Sequence, residues 1–290
     1  MSSIKCRVAM LNSDTPVPNV LPRWSTYGKM FEELLIAAAS RVAPNVTIES
    51  VDYDVQRFEY PPNLAEVDVI LITGSASSSY DEEEWIHRLD NFVRDVYLNH
   101  HHIRIFGSCF GHQLVCQSLL GGHGLRVEQD PQGWELGVQE IEIEEKFRNT
   151  LRNGTKYLLG DSLKNIPETL RIQFVHADHV VIPSPGALPR TWMTVGSTRH
   201  CAVQGVYEPA RVFTLQGHFE FDRFVNTEIM KVFGAKWDPK FLQETFDAIN
   251  SDDDAQAAAE IVLLFMLEKA SGRDVAACQV VGGLRTPPLE

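Results

Sequence analysis

A cysteine stands between two glycines at the end of an apolar run: Ile105-Phe106-Gly107-Ser108-Cys109-Phe110-Gly111. A thiolate attacks carbonyl carbon readily, provided its surroundings keep it deprotonated and within reach of substrate. Ile103, Ile105 and Phe106 have the character of a buried strand. Leu114, Val115, Leu119 and Leu120 then recur at helical spacing, up to Gly121 and Gly122. Glycines two residues either side of a nucleophile predict a nucleophile elbow, where any larger side chain would collide across a sharp strand-to-helix turn. The turn also sets the sulfur at a helix N-terminus, whose unpaired amides favour the thiolate. A free cysteine is often just a small buried hydrophobe, so a second signal is needed.

That signal comes further along the chain. Val212 to Leu215 reads as a buried strand ending at Gln216-Gly217, followed by His218 and Glu220. In extended backbone, residues two apart share a face. The carboxylate can therefore orient the imidazole while the imidazole faces a thiol. Nucleophile Cys109, base His218 and orienting acid Glu220 fill the roles of a triad, which chain order does not define. Taken alone, the second segment also fits a strand-end histidine with an incidental glutamate.

Together the segments resemble the class I glutamine amidotransferases over roughly residues 4–235. Gly107 to Gln113 is similar to the family's nucleophile segment, and Gln216, Gly217, His218 and Glu220 to its Q-x-H-P-E segment. Phe219 stands where the family has proline. Val69 to Ser75 resembles the strand and loop that supply an oxyanion-hole amide, here from Gly74 or Ser75, with Phe110 giving the other. Gln113 matches a position that helps hold the glutamyl group. Val175, His176, Asp178 and Val180 resemble a stretch near the site, which makes His176 a second candidate for substrate binding.

The resemblance implies a flavodoxin-like α/β fold, a doubly wound, mostly parallel sheet with flanking helices. It implies cleavage of a γ-glutamyl amide (glutamine, glutathione or a glutathione conjugate) through a thioester on Cys109, with no metal and no organic cofactor. Gly74-Ser75, Trp85-Ile86, Cys109 to Gln113 and Gly133-Trp134 resemble a stand-alone branch that includes γ-glutamyl peptidases. Two other readings stay open: an ammonia-supplying glutaminase subunit for a separate synthase, and a catalytically silent binding relative.

Composition narrows the class. The chain has 290 residues, 44% of them hydrophobic, enough for a full core. Its net charge of -13 and lack of a basic stripe argue against a nucleic-acid partner. No apolar run approaches a membrane span, and Met1 to Lys5 does not read as a secretory signal. Cys6, Cys109, Cys116, Cys201 and Cys278 form an odd, scattered set without paired spacing, as expected of a reducing cytoplasm. His100, His101 and His102 read as a surface turn, because successive side chains diverge and metal ligands must converge.

The elements that must position the triad alternate in type, as in a parallel sheet covered on both faces. Strands are expected at 5–11, 46–53, 67–73, 133–144, 171–182 and 191–204, besides those already named. Helices are expected at 25–43, 81–98, 221–233 and 251–267, with Ser251 and Asp252 as caps of the last. The Gly121-Gly122-Gly124 run should close the elbow helix. Residues 1–236 are expected to form the catalytic domain. Residues 237–290 should be a helical extension on that domain, ending in a mobile tail over 271–290.

Overall fold

The computed structural model describes residues 4–159, 166–184 and 186–269; the expected tail at 271–290 and Cys278 lie outside the described residues. The chain runs β1 (Ile4–Asn12), α1 (Tyr27–Val42), β2 (Val46–Asp54), β3 (Val69–Ile72), α2 (Glu84–Asn99), β4 (Arg104–Ser108) and α3 (Phe110–Leu120). There follow β5 (Arg126–Gln129), β6 (Glu135–Ile143), α4 (Glu145–Leu159), β7 (Thr169–His176), β8 (Asp178–Val181), β9 (Met193–Thr194) and β10 (Gly196–Ser197). The last elements are β11 (Val206–Glu208), β12 (Val212–Leu215), α5 (Arg223–Phe233), α6 (Pro239–Ile249) and α7 (Ala255–Leu267). No helix among the described residues is long and apolar enough to cross a membrane.

The central sheet has the order β2-β1-β3-β4-β12-β11-β9. Its first five strands pair in parallel, and β11 and β9 add antiparallel at one edge. The sheet is mostly parallel, as expected. All four residues of β3 are buried, because a parallel sheet between two helical layers has no face for polar side chains. Alternate residues feed two cores. Val69 and Leu71 join Phe31, Phe106, Phe213 and the apolar side of α7, whereas Ile70, Ile72 and Ile105 join Trp85, Leu89 and Leu114 of α2 and α3. The parallel order brings the C-terminal ends of β1, β3, β4 and β12 side by side, where open α/β sheets place their ligands.

The helix starts follow local chemistry. Thr26 accepts a hydrogen bond from the Lys29 amide, and Asp222 from the Val225 amide at the start of α5. Asp238 caps α6, with Pro239 at the first helical position. No element was expected at α4, β5 or β11, and α6 falls within the expected helical extension, where Asp238-Pro239 is a readable start signal.

Other boundaries also differ. The run 171–182 is two strands in separate small sheets, since β7 pairs β6 whereas β8 pairs β5, with a break at Ala177. The run 191–204 is only the fragments β9 and β10. Helix α7 starts later than Ser251 and Asp252 imply. Asp254 is its cap residue, but the carboxylate instead accepts the Arg171 amide at 2.8 Å. The left-handed residue after α3 is Gly124, φ 87°, while Gly121 stays right-handed and begins a short 3₁₀ turn.

Helix α7 belongs to the same apolar cluster as the first strand. Phe265 is fully buried, its ring 5.6 Å from Phe213 and 6.3 Å from Tyr207. Truncating such a ring costs about 3–5 kcal/mol. Phe265→Ala should therefore lower the urea midpoint while keeping one cooperative transition by both circular dichroism and tryptophan fluorescence. An unchanged midpoint, or a separate early transition, would show that α7 does not hold the sheet.

Candidate active site

Cys109 connects β4 to α3 with φ 51° and ψ −107°, a conformation L-residues rarely adopt. The sequence meets this strain with its two glycines. A Cβ at Gly107 would lie 2.5 Å from the Gly111 carbonyl oxygen, and one at Gly111 would lie 2.4 Å from the Ile72 carbonyl oxygen. Both neighbours are backbone and cannot yield. The Cys109 amide donates to the Leu215 carbonyl at 2.9 Å, which fixes the elbow to the end of β12. The side chain is 6% exposed and lines a cleft.

His218 enters the cleft from the other side. Its backbone exchanges two hydrogen bonds with Gln173 of β7, at 2.7 and 3.2 Å. Its Nδ1 lies 2.6 Å from Glu220 Oε1, both side chains being almost wholly buried. That contact assigns the Nδ1 proton to the carboxylate and turns Nε2 toward the cleft. Nε2 is buried and has no hydrogen-bond partner among the described residues, which makes it a candidate to meet a ligand. Phe221 stacks on the imidazole, centroids 4.0 Å apart and planes within 8°. Ser108 Oγ makes long contacts of 3.4 Å to the Gly217 carbonyl and 3.5 Å to Glu220.

Burial lowers the proton affinity of His218, but the charges of Glu220 and Cys109 and the hydrogen bond to Glu220 outweigh it. The imidazole pKa rises to about 10 from an ordinary 6.5. The resting ring is an imidazolium between a carboxylate and a sulfur. His112 on α3 behaves oppositely. Burial first, and then the charge of His176, push it down to about 3, so it is neutral, with Nδ1 2.7 Å from Thr214 Oγ1.

Gly74 closes the third side. A Cβ there would meet His218 Cε1 at 2.9 Å and Cys109 Cβ at 3.6 Å, so only glycine lets the loop after β3 come this close. The Phe110 amide, at the first position of α3, has no intrahelical acceptor. It and the amides at Gly74 or Ser75 are the candidate oxyanion donors. Asp14, Tyr27, Val175, Phe221, Ile229 and Phe233 complete the lining of a cleft of about 40 Å³. That is room for a few waters.

The structure thus brings Cys109, His218, Gly74 and Ser75 onto one cleft, with Glu220 behind His218. It does not bring Gln113 or His176 to that lining. The Gln113 amide donates to the Asp178 carbonyl at 3.0 Å and to Gln216 at 3.2 Å. His176 is buried with Nε2 2.9 Å from Glu135 and Nδ1 2.9 Å from the Asp178 carbonyl. Glu135 is itself held by Thr198 and Gln204. Cys116 and Cys201 are buried away from the lining, and burial raises both thiols, Cys201 to about 12. Sequence reasoning missed Asp14, Gln173 and Phe221. Only Phe221, one residue past Glu220, had a local signal.

Comparison with known proteins gives a consistent picture. The sequence profile described as "Glutamine amidotransferase class-I" matches residues 26–236. A Schizosaccharomyces pombe protein, named only as glutamine amidotransferase-like, is 29% identical over 90% of this chain and 98% of its own length. Gamma-glutamyl peptidase 3 of Arabidopsis thaliana is 27% identical over 58% of this chain and 60% of its own. A solved Thermotoga maritima glutamine amidotransferase superposes with a TM-score of 0.55 at 18% identity, covering 92% of this chain and 96% of that one. At that identity the structural likeness speaks for the fold.

Two predictions come from this geometry. Gly74→Ala should cut turnover by at least about 10-fold while the melting temperature holds, since the added methyl displaces an imidazole that Glu220 and Phe221 hold in place. Retained turnover would mean that the loop does not constrain His218. Second, ¹⁵N NMR of the histidine rings should find His218 still an imidazolium at pH 8, above the ordinary 6.5 and below about 10, and neutral by pH 11. Cys109→Ala should shift that titration downward; a ring already neutral at pH 8 in the unmodified protein would contradict the assignment.

Proposed function

The chain belongs to the class I glutamine amidotransferase family, and from that membership we propose that it cleaves a γ-glutamyl amide by acyl transfer to Cys109. One observation carries the reading: a strained elbow cysteine shares a cleft with an imidazole whose far nitrogen is held by Glu220 at 2.6 Å and whose near nitrogen has no hydrogen-bond partner among the described residues. A buried polar atom without a partner costs free energy unless a ligand completes it.

The steps follow from the atoms in place. The Cys109 sulfur, having given its proton to His218, adds to the γ-carbonyl carbon, and the carbonyl electron pair moves onto oxygen. The Phe110 amide and the amide at Gly74 or Ser75 receive that oxyanion; one such donor contributes about 3 kcal/mol in other hydrolases. The intermediate collapses as the C–N bond breaks, and the Nε2 proton of His218 goes to the departing amine or ammonia. A thioester remains. Water then gives a proton to His218 and adds to the thioester carbon, and expulsion of the sulfur frees glutamate. Glu220 holds the ring tautomer throughout and stabilises its positive charge.

Relatives named gamma-glutamyl peptidase support a peptide or conjugate as the amide ahead of free glutamine. Incubation with glutamine, glutathione and a glutathione S-conjugate, with free glutamate measured for each, tests the reading and ranks the leaving groups. The unmodified protein should release glutamate from at least one. Cys109→Ala should lower that release by at least about 1,000-fold. A Cys109→Ala protein that works at the unmodified rate would overturn the proposal.

A further inference from the structure

The cleft contains one charged side chain that the acyl-transfer steps do not use. Asp14 follows the C-terminal end of β1 and lines the same cleft as Cys109, His218, Gly74 and Ser75. Its carboxylate is held in place by its neighbours. Oδ1 accepts from the Thr15 amide at 2.7 Å, and Oδ2 accepts from the Ala76 amide at 2.9 Å and, at 3.5 Å, from the Ser75 hydroxyl. Two of those donors sit on the loop that presents the candidate oxyanion amides. The position of the carboxylate is therefore tied to the position of the reacting carbonyl.

What Asp14 lacks is a cation. Among the described residues, no lysine, arginine or histidine lies within ion-pair distance of it, and no lysine or arginine lines the cleft. The rest of the wall is largely apolar: Tyr27, Val175, Phe221, Ile229 and Phe233. A fixed carboxylate in a cleft of low polarity attracts an ammonium group more strongly than one in open water does. The substrate supplies one. In a γ-glutamyl group the α-ammonium stands at the far end of a three-carbon chain from the γ-carbonyl.

We infer that Asp14 is the specificity residue of this site, binding the α-ammonium of the γ-glutamyl group while the loop it braces receives the γ-carbonyl oxygen. The inference rests on the γ-glutamyl reading above and adds the feature of the acyl group that is recognised. It separates α-amino acid γ-amides from simple acyl amides of the same length. A charge-assisted hydrogen bond of this kind changes selectivity roughly 10- to 100-fold.

The test uses two chromogenic amides that differ only at the α-amino group, γ-L-glutamyl-4-nitroanilide and glutaryl-4-nitroanilide. Asp14→Asn keeps an oxygen acceptor for the loop donors but removes the charge. The ratio of kcat/KM for the glutamyl over the glutaryl compound should fall roughly 10- to 100-fold in Asp14→Asn. A variant that loses equally on both would show that Asp14 only braces the loop and would overturn the inference, as would an unchanged ratio.

A second measurement holds even if neither anilide is cleaved, an outcome that would count against the hydrolase reading alone. Cys109 is alkylated with 6-diazo-5-oxo-L-norleucine, which carries the α-ammonium, and with iodoacetamide, which does not; both are followed by intact mass. The ratio of the two rates should fall in Asp14→Asn by the same factor. Equal ratios, or no labelling of the unmodified protein by the diazo compound, would overturn the inference.

Discussion

At Cys109 the backbone must turn from strand to helix within one residue, at φ 51°, and the space for that turn is set by contacts under 3 Å that only glycine permits at 107 and 111. The geometry of the candidate site depends on this constraint. The turn lifts the sulfur out of the sheet and places it over the first free amides of α3. It also requires a close backbone neighbour on each side. Ile72 ends β3 against Gly111, and Leu215 ends β12 against the Cys109 amide. The parallel order β3-β4-β12 is thus the packing solution of the elbow as well as the frame of the fold. The loops leaving β3 and β12 have no other place to go than beside the sulfur, and they carry Gly74 and His218.

How much of this could be read from sequence follows from the range of the interactions. The elbow was legible because steric exclusion at plus and minus two is a local demand, and glycine is the residue that meets it. The pairing of His218 with Glu220 was legible because extended backbone repeats every two residues, and the 2.6 Å contact follows that geometry. Gln173 was hidden. It supports the His218 backbone from a strand of another sheet, and no spacing in the chain records that meeting. Asp14 was hidden for the same reason, being one acid among 39 acidic residues until the fold sets it beside Cys109. Gln113 and His176 mark the converse limit. A resemblance names positions, but here hydrogen bonds to Asp178, Gln216 and Glu135 occupy both side chains outside the cleft lining.

The electrostatics have one theme. Glu220 and the Cys109 sulfur hold His218 charged against the cost of burial, and Asp14 adds negative charge to the same cleft. Tyr27 registers all three: burial and then the charges of Asp14, Glu220 and Cys109 push its phenol well up, so it stays protonated there. A cleft with this bias keeps a proton on His218.

Phe219 joins the candidate site to the core packing. Where the resembling segment has proline, rigidity comes from a ring that fixes φ. In this chain it comes from burial. The Phe219 side chain is 1% exposed and meets Phe31 of α1 at 5.2 Å and Phe106 of β4 at 6.1 Å, both edge-on. The residues on either side of it, His218 and Glu220, are therefore anchored by a wedge driven into the sheet's main core, and Phe221 then stacks back on the imidazole. A proline needs no neighbours to hold its backbone, whereas a buried ring holds only as well as the cavity around it. A packed ring thus stands where the resembling segment has a covalent constraint, and its contacts are Phe31 and Phe106, neither of which lines the cleft.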